Sequence, residues 1–451
     1  MRTKKSILKF SVAIMLAMVV IIGCKRNDNN NDSNNNTNNA GNNANINENN
    51  NANNNQVTNQ PVTPSQEETT QDPAQNRTYA DGEYRGFYHD GGIQQISIQF
   101  TLKDGKFEDM TFRGINYKDG DYLAENASDI QKQIATQFMQ AAEYMIGKTP
   151  DAVPDLLTPG NFVKDMDAVS GATLRSNKLA SAINDALNRG VYRLTDTTKL
   201  SDLNAVSDGI YRGFYYDDGI EQIAIEFEVK DNKFDDIEFR SLNYKDGNYL
   251  ADNASDIQKQ VADQYEEAID YLEGKKVTAI NDLYEPGKLV KDMDTVTGAT
   301  LRSGKLVSAF HDAFCRGVYK LTDTTELVAD SKKYEDGVYR GFYYDGGIEQ
   351  LAIQFTLIDN KFTEVTFRAM NYKDGNYLGE NATAVQQQVA AQFNEAAQYL
   401  IGKDVNSVNN LYLPGEIVSD MDTVTGATLR SGKMILALHD GLNRGIYKKA
   451  E

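Results

Sequence analysis

The chain has no tryptophan, two cysteines and three histidines in 451 residues, and its acidic side chains outnumber the basic ones by 65 to 46. The cysteines, Cys24 and Cys315, lie in unrelated settings and offer no disulfide framework. His89, His311 and His439 are the only imidazoles, and neither CxxC nor HExxH spacing occurs. The soft-ligand set for a transition metal is therefore missing, and no metal site is expected. A formal charge of −19 repels phosphate backbones and excludes nucleic acid as a partner. The long apolar run, Phe10 to Ile22, falls short of the ~20 residues that cross a bilayer as a helix. What is present, 40% hydrophobic and 25% charged residues, suffices for ordinary globular cores.

That apolar run follows a basic segment (Arg2, Lys4, Lys5, Lys9) and ends in Ile21-Ile22-Gly23-Cys24. The ending resembles the bacterial lipobox, which implies a signal peptide over 1–23 and acyl chains (palmitate among them) on Cys24. Each buried CH₂ contributes about 0.8 kcal/mol, so several chains on one cysteine anchor firmly. The expected location is the cell membrane, lipid-anchored on the extracytoplasmic face. Residues 24–78 then form the lipidated cysteine and a disordered linker. Asn dominates positions 27–60, which have almost no apolar side chains to build a core. A flexible linker of this length spans roughly 40 Å.

The rest of the chain repeats itself. DAVSGATLRS at 167–176 returns as DTVTGATLRS at 294–303 and 422–431, copies 127 and 128 residues apart. Each copy follows an opening block: DGEYRGFYHDGGIQQISIQF at 81–100, DGIYRGFYYDDGIEQIAIEF at 208–227 and DGVYRGFYYDGGIEQLAIQF at 336–355. Alternation at Ile96, Ile98 and Phe100 reads as a half-buried strand. A turn at Lys103-Asp104-Gly105 leads into a second strand ending near Phe112. Ile130, Ile134, Phe138, Ala141 and Met145 then recur at helical spacing, with Asn126 or Ser128 as N-cap and Gly147 at the end. A Pro-Gly turn (Pro159, Pro286, Pro414) precedes a second helix. That helix carries Leu179, Ile183 and Leu187 on one face and finishes at Arg189-Gly190. The pattern predicts an α+β fold in three tandem copies, over 79–200, 201–330 and 331–451. Short polar joints such as Leu194-Thr195-Asp196-Thr197-Thr198 suggest three beads packed loosely.

The repeated motif can do chemistry. A Ser or Thr (Ser170, Thr297, Thr425) stands three residues before a threonine (Thr173, Thr300, Thr428), where it reads as an N-cap. Gly171, Gly298 and Gly426 let backbone approach a bulky group, and Ala172, Ala299 and Ala427 complete the turn. Free N–H groups at a helix start attract phosphate, and Arg175, Arg302 or Arg430 adds charge. The flanking stretches diverge (NFVKDM, GKLVKDM, GEIVSDM), whereas Asp-x-Val-[Ser/Thr]-Gly-Ala-Thr does not.

This pattern, from Asp167, Asp294 and Asp422 to Thr173, Thr300 and Thr428, resembles the covalent flavinylation motif of FMN-binding domains. Such domains occur in the peripheral subunits of sodium-translocating NADH:quinone reductases and Rnf complexes. The resemblance implies that a flavin transferase moves FMN from FAD onto the last threonine as a phosphoester. It also implies that the preceding residues of each motif contact the cofactor. With the lipoprotein leader, the whole chain resembles the PplA-like multi-flavin lipoproteins of Gram-positive extracellular electron transfer. The implied role is an electron-transfer flavoprotein with no catalytic residues of its own. It takes electrons from a quinol-linked membrane donor and passes them to extracellular acceptors.

The chain departs from the family at one segment. Where many members carry His-x-Glu-Thr, it has Asn116-Tyr117-Lys118-Asp119-Gly120, Asn243 to Gly247 and Asn371 to Gly375. Tyr117, Tyr244 and Tyr372 are candidates to stack on the flavin ring or to fill a turn. Cys315 aligns with Asn188 and Asn443 and reads as a tolerated surface thiol. His311 and His439 align with Asn184, so no shared catalytic role is expected of them. Two other functions fit the same organisation: a non-redox surface lipoprotein, such as an adhesin or ligand-binding module, and the electron-donor part of an extracellular reductase. No GxGxxG dinucleotide motif supports the reductase.

Overall fold

A computed structural model describes residues 79–166, 175–200, 206–295, 302–423 and 430–450. The signal segment, Cys24 and the linker lie outside these residues. Among the described residues no helix is long and apolar enough to cross a membrane.

Three mixed α+β domains follow one another, each an antiparallel sheet followed by helices. In the first repeat, β1 (Gly82–Asp90), β2 (Ile93–Lys103), β3 (Lys106–Tyr117) and the short β4 (Gly120–Asp121) lie side by side in chain order. The helices are α1 (Asp129–Met145) and α2 (Ser176–Asn188), with a 3₁₀ segment, Pro150–Leu157, between them. The second repeat has β5 (Gly209–Asp217), β6 (Ile220–Lys230), β7 (Lys233–Tyr244), β8 (Gly247–Asn248), α3 (Asp256–Leu272), α4 (Ser303–Arg316) and β9 (Val318–Lys320). The third has β10 (Gly337–Asp345), β11 (Ile348–Ile358), β12 (Lys361–Tyr372), β13 (Gly375–Asn376), α5 (Ala384–Leu400), α6 (Ser431–Arg444) and β14 (Ile446–Lys449). The tail strands β9 and β14 pair with the first strand of their own repeat, making five-stranded sheets. In the first repeat a single bridge, Glu83 to Arg193, stands in that place.

Local chemistry sets the elements. Ser128, Ser255 and Thr383 cap α1, α3 and α5, each in a capping box with a glutamine three residues on. Ile134, Phe138, Ala141 and Met145 are buried as the spacing predicts, whereas Ile130 is 54% exposed. It sits at the margin of the apolar stripe, in the first turn. The second strand continues past Phe112 to Tyr117, the run into the next hairpin. Gly86, Gly213 and Gly341 lie under α2, α4 and α6, and a Cβ there would collide with the helix backbone. The sheet and the second helix therefore touch main chain to main chain.

The repeats are interlocked, which overturns the loose beads expected from the short joints. Strand β1 is buried on both faces from Gly86 to His89, as a strand with neighbours on both sides must be. Phe87, Phe214 and Phe342 meet in a shared cluster, with ring centroids 6.1–6.4 Å apart. Against it lies a closed ring of charge. Arg189 pairs with Asp185 of its own helix and Asp312 of the next repeat, both at 2.9 Å. Arg316 pairs with Asp312 at 3.0 Å and Asp440 at 2.9 Å. Arg444 pairs with Asp440 at 2.8 Å and Asp185 at 2.6 Å, returning to the first repeat. The same arginines donate to the carbonyls of Phe214, Phe342 and Phe87. Burial works against the charge on Arg189 and Arg316, but the flanking carboxylates outweigh it and raise both pKa values. An outer set of ion pairs repeats the sense: Arg113 to Asp217, Arg240 to Asp345 and Arg368 to Asp90. The arrangement is head-to-tail and closes after three copies, with pseudo-threefold symmetry inside one chain.

One expectation about a divergent position changes with this ring. Cys315 is not an idle surface thiol: Asn188 donates to the Asn443 carbonyl, Asn443 to that of Cys315, and the Cys315 thiol to that of Asn188. Asn184 and His439 likewise bond the carbonyls of Arg444 and Arg316, at helix ends of the neighbouring repeats.

Candidate functional site

The threonine-bearing turns fall outside the described residues. This covers Asp167, Ser170, Gly171, Ala172 and Thr173; Thr297, Gly298, Ala299 and Thr300; and Thr425, Gly426, Ala427 and Thr428. Asp294 and Asp422 are described, as are the chain ends that hold each turn.

Those ends are pinned by the motif's own carboxylate. The Asp294 side chain accepts from the Ser303 backbone N–H at 2.8 and 3.0 Å and from its hydroxyl at 2.6 Å. Asp422 does the same for Ser431 at matching distances. Sequence reasoning put the N-cap on the Ser or Thr of the turn. The N-cap is Arg302 or Arg430 instead (Arg175 in the first repeat), with no side-chain cap of its own. The helix starts three residues beyond the threonine, and an anion from nine residues upstream already occupies its first N–H. Phosphate attraction by that N–H is thereby reduced. Left-handed backbone marks the approach: Asp292 and Asp294 have φ of 59° and 64°, and Asp420 and Asp422 have 60° and 65°. Such conformations cost of order 1 kcal/mol each and persist only where surroundings hold them. Here Gln264 donates to the Lys291 carbonyl, tying the approach to α3.

One turn into the helix sits a buried cation. Lys178, Lys305 and Lys433 are 3–5% exposed, and each donates to a glutamine (Gln95, Gln222, Gln350) at 2.5–2.6 Å. Burial pushes each ammonium pKa down to about 8. The Lys305 Nζ lies 5.2 Å from the Tyr244 ring centroid, Lys433 5.3 Å from Tyr372 and Lys178 5.8 Å from Tyr117. The fold thus brings the three half-buried tyrosines singled out in the sequence to the first turn of the motif helix. The lysines themselves were missed. Their recurrence as the one basic residue near the start of each apolar helix was the available signal.

The neighbouring repeat supplies the other side. The first repeat's tail, Val191 to Arg193, runs past the start of α4, and the second repeat's tail, Val318 to Lys320, runs past α6. Tyr284 donates to the Val191 carbonyl and Tyr412 to that of Val318. Gly304 and Gly432 face the carbonyls of Tyr192 and Tyr319 so closely that a Cβ would collide. Arg85, Arg212 and Arg340 stack over Tyr192, Tyr319 and Tyr447 at 3.8–3.9 Å, holding each tail from its own repeat. Beside the third motif the walls enclose a cavity of about 480 Å³, lined by Tyr319, Lys320, Tyr412, Asp422, Arg430 and Gly432 among others. That lies within the ~300–1,000 Å³ typical of small-molecule sites. A partly basic cavity beside the pinned ends of the third motif can seat a planar anionic group.

Among the described residues no cluster of His, Cys, Asp and Glu could hold a metal ion. No family model matches the chain, and no curated protein or solved structure matches it either.

Proposed function

We propose that the chain is a flavoprotein lipid-anchored through Cys24 on the extracytoplasmic face of the cell membrane. It carries FMN as a phosphoester on Thr173, Thr300 and Thr428 and relays electrons from a quinol-linked membrane donor to extracellular acceptors. The observation that carries this reading is the threefold Asp-x-Val-[Ser/Thr]-Gly-Ala-Thr turn, clamped at Asp294 and Asp422 and flanked in the third repeat by a cavity of about 480 Å³.

The residues present fit the group. Gly432 admits backbone at the cavity wall, Arg430 brings positive charge, and Tyr412 and Tyr319 bring aromatic surface. When bound, FMN supplies one- and two-electron redox chemistry, and the protein sets its potential and its access. In attachment by a flavin transferase, the threonine oxygen bonds to the FMN-side phosphorus of FAD. The bond to AMP breaks, AMP leaves, and the hydroxyl proton passes to solvent; nothing is oxidised or reduced. The carboxylate clamp keeps in place the two chain ends that flank the threonine. Because the three repeats are locked together, the linker rather than the joints between domains provides the reach toward partners.

The test is colour and mass. Protein made with a flavin transferase is expected to stay yellow after denaturation and to gain the mass of three FMN groups. Thr173→Val, Thr300→Val and Thr428→Val each remove one increment. A colourless product from a competent host would leave a non-redox surface module.

A further inference from the structure

The tail of each repeat belongs to its own sheet yet lies against the motif helix of the next repeat. In the third repeat the cavity wall is therefore supplied by two repeats: Tyr319, Lys320 and Leu321 from the second, Tyr412, Asp422 and Arg430 from the third. Charge placement gives the wall a chemical sense. In a chain with 65 acidic and 46 basic residues, the position after the tail tyrosine is basic in all three copies: Arg193, Lys320 and Lys448. Arg430 is partly engaged already, since one of its guanidinium nitrogens donates to the Asp422 carbonyl. Lys320 is exposed and sits on the short strand β9, whose partner is the second repeat's own first strand. Both neighbours fix the tail, through the Arg212 stack on one side and Tyr412 and Gly432 on the other.

We propose that the cofactor site of the third repeat is built across the seam, with Tyr319 as a wall and Lys320 of the second repeat supplying a cation to the phosphate on Thr428. The proposal rests on the flavin reading above. The second seam is built alike, with the Tyr192 carbonyl of the first repeat against Gly304 and that of Val191 accepting from Tyr284. The first site uses the third repeat's tail, where Asn177 donates to the Tyr447 carbonyl at 2.9 Å. A repeat cut from the ring would lack part of its site.

Lys320→Glu in the full-length chain tests this, because the residue and the site it serves lie in different repeats. After co-expression with a flavin transferase, the peptides bearing Thr173, Thr300 and Thr428 are weighed separately. Reversal of a partly exposed charge contact corresponds to about threefold or more. The expected result is that loss of adduct at Thr428, with Thr300 and Thr173 unchanged and with recovery in Lys320→Arg. In a Thr173→Val/Thr300→Val background, Lys320→Glu should also lower the midpoint potential of the remaining flavin. Loss confined to Thr300, or unchanged occupancy and potential at Thr428, overturns the shared site while leaving the flavin reading intact. Absence of any adduct in the unsubstituted protein overturns both.

Discussion

The first repeat and its two sisters fold alike but solve the seam differently. In the second and third, a tyrosine (Tyr284, Tyr412) donates to the incoming tail and a glycine (Gly304, Gly432) makes room for it. In the first, Leu157 stands where the tyrosine would be, and Asn177 replaces the glycine and donates to the tail itself. The first repeat receives the tail of the third, its neighbour in space but not in sequence. One donor to one tail carbonyl is kept in all three seams, although neither the residue nor its position in the repeat is. The requirement is set by the carbonyl that must be satisfied.

The comparison breaks hardest at the charge ring. Arg444→Met and Arg316→Met each take from two buried carboxylates one of the two arginines that pair with them, and should cost about 3–5 kcal/mol in urea unfolding. Only Arg444→Met should open the closing seam to protease, because no peptide link holds the third repeat to the first. The next effect concerns the equivalent residues Gln94, Glu221 and Glu349, which accept from the backbone N–H of Gly219, Gly347 and Gly92, each in a neighbouring repeat. Burial, with help from Asp345, raises the Glu221 pKa to about 7. The folded state thus holds that proton more tightly than the unfolded chain, so the contribution is full below pH ~4.5 and is lost as pH rises to ~7. Glu221→Gln should remove this slope, on the order of 2–3 kcal/mol, and Gln94→Glu should add a similar one.

Smaller changes sharpen the seam itself. Asn177→Gly should cost about 1 kcal/mol through the unpaired Tyr447 carbonyl, and Leu157→Tyr in the same chain should recover most of it. A double-mutant cycle read by thermal unfolding measures the coupling. Smallest is His311→Asn, which installs the first repeat's residue. Burial pushes the His311 pKa down to about 4, so its contribution is intact above pH ~6.5 and is lost as pH falls toward 4. The asparagine variant should flatten that acid limb by about 1 kcal/mol or less, given partial exposure.

How much of this was legible follows from what is local. The hairpins, the capped helix at Ser128 and the face of Ile134, Phe138 and Met145 are set by neighbours within a few residues, and periodicity reports them. The motif helix was placed too early because its start is fixed by Asp294 reaching Ser303, a contact across the turn that no propensity encodes. The ring was missed for a similar reason: Arg189-Gly190 read as a helix stop, yet the guanidinium bonds a strand 25 residues away. One signal was available, since Phe87, Tyr88 and His89 are successive large side chains in a strand and leave it no solvent face. Cys315 reads as a surface thiol because the position varies between copies, yet its thiol meets the Asn188 carbonyl of another repeat. For the candidate site, the motif and the tyrosines were legible, while the tail of the adjoining repeat required the folded arrangement.

Closure after three copies also decides what the molecule can become. Each unit offers a socket and a plug of different shape, and three of them consume every pair. A variant shortened by one unit would expose one of each, and such pieces would join end to end into threads of no fixed length. The third copy thus keeps this protein a discrete object, whatever each unit carries.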